Sequence, residues 1–90
     1  MGKTVEKKES DKLLPKDLKK IGLRLRIIRK SLGYGNSDKF AHAYDLDRAQ
    51  YGKYESGTQD LRISSLIKIL EKIDYQLSDF FNDEYNNINV

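Results

Sequence analysis

The stretch SDKFAHAYDLDRAQYGKYESG, residues 37–57, decides the fold of this chain. Two short segments of helical character flank the tight break DLD at residues 45–47. The last Asp of that break can cap a helix over residues 48–55, and Gly57 can end it. Two short helices joined in this way, the second beginning with long polar side chains, predict a helix-turn-helix. In that unit the second helix lies in the DNA major groove and its first residues reach base edges.

Apolar residues recur at helical spacing on both sides of this unit. The stripe before it predicts an amphipathic helix that ends near Gly33 and consists of Leu18, Ile21, Leu25, Ile28 and Leu32. The stripe after it predicts a fourth helix and consists of Ile63, Leu66, Ile67, Leu70 and Ile73. A last short helix begun by Ser78 would close the core with Leu77, Phe80 and Phe81. No useful length alternates with period two, so the sequence predicts an all-α domain of about five short helices.

The chain divides into three parts by composition. Residues 1–15 have mixed charge and contain the only proline, and we expect them to form a flexible N-terminal arm. Residues 16–82 hold the predicted helix-turn-helix domain, and 90 residues leave room for one small domain. Residues 83–90 form an acidic, Asn-rich C-terminal tail, which is either a subunit contact or a disordered end.

Composition also limits the chemistry of the chain. There is no Cys and only one His, so neither a disulfide framework nor a thiolate zinc site can form. We expect the lone His42 to lie on the surface of the second helix without a role. No catalytic constellation is visible, and we expect no enzyme activity, no cofactor, no metal and no small-molecule ligand. Without a membrane-spanning run or a signal-peptide centre, the expected location is cytoplasmic.

Positive charge is concentrated near the start of the predicted domain. Residues 16–30 contain seven Lys or Arg and one Asp, whereas the last sixty residues carry a net charge of −4. A concentrated basic segment is what a polyanion partner requires. A solvated helix face accounts for the same charges equally well.

Residues 21–82 resemble the lambda-repressor-like, Xre-type helix-turn-helix family. The family's first helix has the pattern Ile-Gly-x-x-[apolar]-Arg-x-[apolar]-Arg, which stands here as IGLRLRIIR, residues 21–29. The family's helix-turn-helix pattern is matched by Phe40-Ala41, Asp45-Leu46, Asp47, Tyr51 and Glu55-Ser56-Gly57. Its last helices match LRISSLIKILEKI and LSDFF. Each match alone is weak, but all of them in order at the right spacing form a strong signal.

The resemblance implies roles for particular residues. Base-reading positions fall on Arg48, Ala49, Gln50 and Lys53. Arg and Lys can bond guanine, Gln can pair with adenine, and the Ala methyl can meet that of thymine. Phosphate contacts fall on Ser37, Thr58 and Arg62, although Ser37 replaces a longer Gln common in the family. The Glu of Glu-x-Gly pairs with an Arg of the first helix, which implies a structural ion pair between Arg29 and Glu55.

Several alternatives stay open at this stage. Arg48 and Lys53 could be ordinary solvated charges. Tyr51 and Tyr54 are expected to pack in or beside the core rather than stack on bases. Asp45 stands where the family usually has Gly in the turn, and Asp tolerates the left-handed conformation better than most residues.

The sequence thus predicts a regulator of transcription that binds double-stranded DNA sequence-specifically. We expect it to be a homodimer at least when bound to DNA, and we expect no membrane segment. The apolar residues expected at the subunit contact are Leu77, Phe80, Phe81, Ile88 and Val90. The two Phe could instead cap the core of one subunit. The alternative function is a protein-interaction module, such as an antitoxin-like or adaptor protein on the same fold. An exposed tyrosine patch on the third helix would favour that alternative.

Overall fold

The structure is a computed structural model that describes the backbone of residues 3–90 and the side chains of residues 15–90. Over residues 3–90 it has six helices and no strand, which confirms the predicted all-α class. The helices are α1 Lys3–Ser31, α2 Ser37–Ala43, α3 Arg48–Ser56, α4 Ile63–Lys72, α5 Leu77–Phe80 and α6 Asp83–Asn86. The sixth helix lies in the segment expected to be the C-terminal tail. The flexible arm predicted over residues 1–15 lies, apart from Pro15, outside the residues with described side chains, and it stays a prediction.

The two helices of the predicted helix-turn-helix begin at side-chain caps. Asn36 Oδ1 accepts a hydrogen bond from the Lys39 amide at 2.8 Å and starts α2. Asp47 Oδ1 accepts from the Gln50 amide at 2.8 Å and starts α3. Each bond satisfies a backbone donor that a helix start otherwise leaves free. The cap of α3 at Asp47 was predicted from the sequence.

The turn between α2 and α3 contains one residue in the left-handed region. Asp45 has φ 56°, as its place in the turn predicted. The Leu46 amide then donates to the Ala41 carbonyl at 2.7 Å, which ties the turn back to α2. Gly57 ends α3 with φ 71°, another backbone conformation that favours glycine.

The core draws on α1 to α5. Its buried apolar residues are Leu25, Ile28, Phe40, Ala41, Tyr51, Tyr54, Leu66, Ile69, Leu70 and Phe80. The predicted stripe of α4 was right for Leu66 and Leu70 but wrong for Ile63, which is 59% exposed. Ile63 is the first residue of α4 and lies outside the core. Ile69, which the predicted stripe did not include, is buried instead.

The end of α3 lies directly on the backbone of α1. A Cβ atom built on Gly22 of α1 would stand 2.3 Å from the Glu55 carbonyl oxygen and 2.6 Å from that of Tyr54. A Cβ on Gly57 would stand 2.8 Å from Cα of Lys19. Since both obstacles are backbone atoms, only glycine at these two positions permits the observed distance between the helices.

The ion pair implied between Arg29 and Glu55 is present and buried. Arg29 Nε donates to Glu55 Oε2 at 2.7 Å, and Nη2 donates to Oε1 at 3.1 Å. The third guanidinium nitrogen, Nη1, donates to the Tyr34 carbonyl at 2.8 Å. The hydrogen bond to Glu55 raises the pKa of Arg29. Arg29 therefore joins α1 to α3 and to the loop that precedes α2.

A second buried arginine, Arg24, holds the C-terminal segment against α1. Its Nε donates to the Phe80 carbonyl at 2.9 Å and its Nη2 to the Asp79 carbonyl at 2.8 Å. Its Nη1 lies 2.8 Å from Glu84 Oε1 of α6. The guanidinium satisfies carbonyl groups at the end of α5, so α5 and α6 are both attached to the first helix. No pattern in the sequence predicted this role.

We expect two helical glycines to respond oppositely to alanine. Gly22→Ala should lower the free energy of unfolding by about 1–3 kcal/mol or more, because its Cβ meets backbone that cannot rotate away. Gly52→Ala is the matched control, since nothing lies within 4 Å of its Cβ. It should raise the free energy of unfolding by up to about 1 kcal/mol through helix propensity. Urea unfolding of both variants measures the difference, and equal stabilities would contradict the close packing of α1 and α3.

Removing either partner of the buried ion pair should leave an uncompensated charge. We expect Glu55→Ala and Arg29→Ala each to lower the free energy of unfolding by about 3–5 kcal/mol. The double variant should lose clearly less than the sum of the two single losses. Arg26→Ala is the control, because its Nε lies 3.8 Å from Glu55 on a half-exposed side chain and should contribute about 0–1 kcal/mol. Strictly additive losses of Arg29 and Glu55 in thermal melts would show that the two do not interact.

Candidate nucleic-acid interface

The third helix separates its long polar residues from its aromatic ones. All four expected base-reading residues are exposed, namely Arg48, Ala49, Gln50 and Lys53. The other side of α3 is buried and holds Tyr51, Tyr54 and Glu55. The helix therefore presents one polar, cationic side to the surroundings while its opposite side is docked on α1 and the core.

The three expected phosphate-contacting residues lie near the two ends of the helix-turn-helix. Ser37 is the first residue of α2 and is half-buried. Thr58 is exposed just after α3, and its hydroxyl lies 2.9 Å from Ser56 Oγ. Arg62 is exposed at the start of α4, where its side chain makes no capping hydrogen bond. Thr58 and Arg62 thus keep polar groups directed away from the core, while Ser37 is only partly accessible.

The cations of this surface are not taken up by ion pairs. Among residues 15–90, the ion pairs join Arg24 to Glu84, and both Arg26 and Arg29 to Glu55. None involves Arg48, Lys53 or Arg62. One neighbouring carboxylate, Asp47, is occupied as the cap of α3. The positive charge of these three residues is therefore available to an anionic partner.

The tyrosines of α3 belong to the interior. Tyr51 is 2% and Tyr54 8% exposed, and the Tyr51 ring packs against Phe40 with centroids 5.0 Å apart. The Tyr51 hydroxyl is buried without a hydrogen-bond partner, and burial raises its pKa. The packing prediction for these residues is confirmed. An apolar element does lie at the edge of the surface, since Ile63 follows Arg62 and is exposed.

Two clefts adjoin the outward side of α3. One of about 270 Å³ lies between α3 and α4 and includes Gln50, Tyr51, Tyr54, Lys68 and Lys72 in its lining. The other, of about 330 Å³, lies between α2 and the front of α3 and is lined by Asp38, Lys39, His42 and Arg48. The second cleft places His42 beside an expected base-reading residue. The sequence contained one signal for this, the spacing of residues 38, 39 and 42 on one side of a helix.

The described part of the chain contains neither a metal-binding cluster nor a candidate membrane span. No group of three or more His, Cys, Asp or Glu residues there is arranged to hold a metal ion. Within the same residues, no helix combines the length and apolarity needed to cross a bilayer.

Comparison with protein-family models, with curated proteins and with solved structures finds no match to this chain. The likeness to the lambda-repressor-like family therefore rests on the motif residues alone.

Proposed function

We propose that the chain is a lambda-repressor-like regulator of transcription that binds double-stranded DNA and reads the major groove with residues 48–55. The observation that carries this proposal is the arrangement of α3. Its exposed side holds Arg48, Gln50 and Lys53, while its aromatic residues are buried. Long donors and acceptors on an exposed helix following a tight turn suit the base edges of the major groove. The proposed location is the cytoplasm.

The proposed role of each interface residue follows from its position on or beside α3. Arg48 and Gln50 lie in the first turn of α3, and Lys53 lies one turn further along the same side. Ala49 adds a small methyl group that can meet thymine. Gly52 has open space around its Cβ position and lets the helix approach DNA closely. Thr58, Arg62 and, to a lesser extent, Ser37 flank this side and would bond the sugar-phosphate backbone.

The alternative is a protein-interaction module of antitoxin-like or adaptor type. Exposed Ile63 at the edge of the interface favours it, because an apolar side chain gains little from contact with phosphates. The burial of Tyr51 and Tyr54 speaks against it, since the expected tyrosine patch is not on the surface. The exposed cations Arg48, Lys53 and Arg62, which form no ion pair among residues 15–90, give more support to DNA as the partner.

Two-fold symmetry follows from the size of one recognition helix. A helix that reads a few base pairs at about 1–3 kcal/mol each falls short of the ~4–10 kcal/mol that separates specific from non-specific binding. Two subunits spaced by about one turn of DNA, ~34 Å, supply the difference. Phe80 is fully buried and belongs to the core of one subunit, so it is not part of the expected subunit contact. Leu77, Phe81 and Val90 are 37%, 38% and 51% exposed and remain suited to it.

Selection of bound sequences from random duplex DNA, followed by anisotropy titrations, tests the function. We expect Arg48→Ala and Lys53→Ala to weaken binding to the selected duplex far more than to a scrambled duplex, each by about 1–3 kcal/mol. Arg62→Ala is the control for a phosphate contact and should weaken both duplexes alike, with a salt slope smaller by about one.

Two outcomes would contradict the proposed function. Equal losses on selected and scrambled duplexes for Arg48 and Lys53 would remove the base-reading role. Failure to enrich any sequence, together with capture of a protein by the same surface, would favour the interaction module.

The dimer proposal predicts two chains on each specific duplex. Sedimentation of the complex should give this stoichiometry, and the selected site should show inverted symmetry. Leu77→Lys should weaken binding to the full site while leaving a half-site unaffected. Ile27→Lys is the matched control, because it places the same charge on an exposed isoleucine of α1 that belongs neither to the proposed contact nor to the proposed DNA interface. One chain per duplex on a site without symmetry would overturn the dimer.

A further inference from the structure

We propose that the cleft between α2 and α3 holds a backbone phosphate of DNA and that His42, as an imidazolium, supplies one of its positive charges. This inference rests on the proposed DNA-binding function and adds to it a defined phosphate site whose affinity depends on pH. It gives a role to the one histidine of the chain.

The cleft is built by consecutive turns of one helix and the start of the next. Asp38, Lys39 and His42 come from α2, where spacings of three and four residues place them on one side of the helix. Arg48 is the first residue of α3 and closes the cleft on that side. All four side chains are exposed. A volume of about 330 Å³ is ample for a phosphate group.

His42 is the residue of this cleft through which its net positive charge can increase. Lys39 and Arg48 are cationic and Asp38 is anionic, so the net charge rises by one unit when the imidazole binds a proton. The ion pairs of residues 15–90 involve none of these four residues. α1 also packs against α2 but contributes no residue to the lining. The carboxylates of the nearby turn, Asp45 and Asp47, do not line the cleft either.

The chemistry of an imidazolium suits this position. Asp38 repels a phosphate that enters the cleft and offsets the charge of Lys39. Because the proposed function assigns Arg48 to base reading, the positive charge of an imidazolium strengthens phosphate binding directly. An imidazolium offers two N–H donors, and charge-assisted hydrogen bonds to phosphate are among the stronger ones. A phosphate held here lies beside the first residue of α3, which would set the depth of that helix in the groove. Because histidines change charge between about pH 5 and 8, affinity for DNA should fall as pH rises through this range.

The test uses the full chain and a mixed-sequence DNA duplex of about 30 base pairs, because a phosphate contact does not depend on sequence. Anisotropy titrations over a series of salt concentrations are made near pH 6 and near pH 8. We expect affinity to be about 3–10-fold higher at the lower pH, as the linkage of one proton allows. The slope of log K against log salt should be steeper there by about 0.9, the value for one added phosphate contact.

Two substitutions of His42 and one of Lys39 make the result specific. His42→Gln should show equal affinity and an equal salt slope at both pH values, and His42→Lys should keep the higher affinity at both. Lys39→Gln should weaken binding by a similar factor at both pH values while preserving the pH dependence. Because these side chains are exposed, thermal melts should show that all three variants remain folded.

The outcomes separate this cleft from the proposed function. Binding of the duplex with no change of salt slope between the two pH values overturns the cleft alone, as does full pH dependence in His42→Gln. Absence of duplex binding at low salt removes the proposed function and the cleft with it. A separate NMR titration of the His42 imidazole with inorganic phosphate checks the source of the anion. Tighter binding of inorganic phosphate than of duplex phosphate would overturn the assignment to DNA.

Discussion

The contact between α1 and α3 is the constraint on which the rest of the structure depends. Gly22 brings the two backbones to a distance that no other residue permits, and the buried pair of Arg29 with Glu55 sets the orientation of α3 at that distance. A bidentate arginine-carboxylate pair is directional, so the contact resists rotation as well as separation. The same guanidinium also holds the Tyr34 carbonyl, so the loop before α2 is placed by the same residue.

This docking explains how a helix of low intrinsic stability is held in place. α3 has nine residues, contains Gly52 and would be marginal as an isolated helix in water. Its cap at Asp47, its left-handed end at Gly57 and its contacts with α1 supply what propensity does not. The helix is thus stabilised through one side, and the residues on its other side are not needed for its packing. This is consistent with the small and polar residues found there.

The buried arginines of α1 divide between two structural tasks. Arg29 holds α3 through Glu55, and Arg24 holds α5 and α6 through two carbonyls and Glu84. Arg26 stays half-exposed beside Glu55. The positive charge of residues 16–30 therefore cannot be read as one surface, because the charges that contribute most to packing are hidden from any partner. The accessible charge near α3 comes instead from Arg48, Lys53 and Arg62.

The sequence by itself determined the all-α class, the cap of α3, the left-handed turn at Asp45 and the inward place of Tyr51 and Tyr54. These are local properties, set by residues within a few positions of one another and by the helical period. Only the tertiary structure decided that Gly22 is a contact point, that Arg24 is buried at the end of α5 and that His42 shares a cleft with Arg48. Each of these depends on residues far apart in the chain or on neighbouring helices, and a periodic pattern carries no information about which side chain will face another across such a distance.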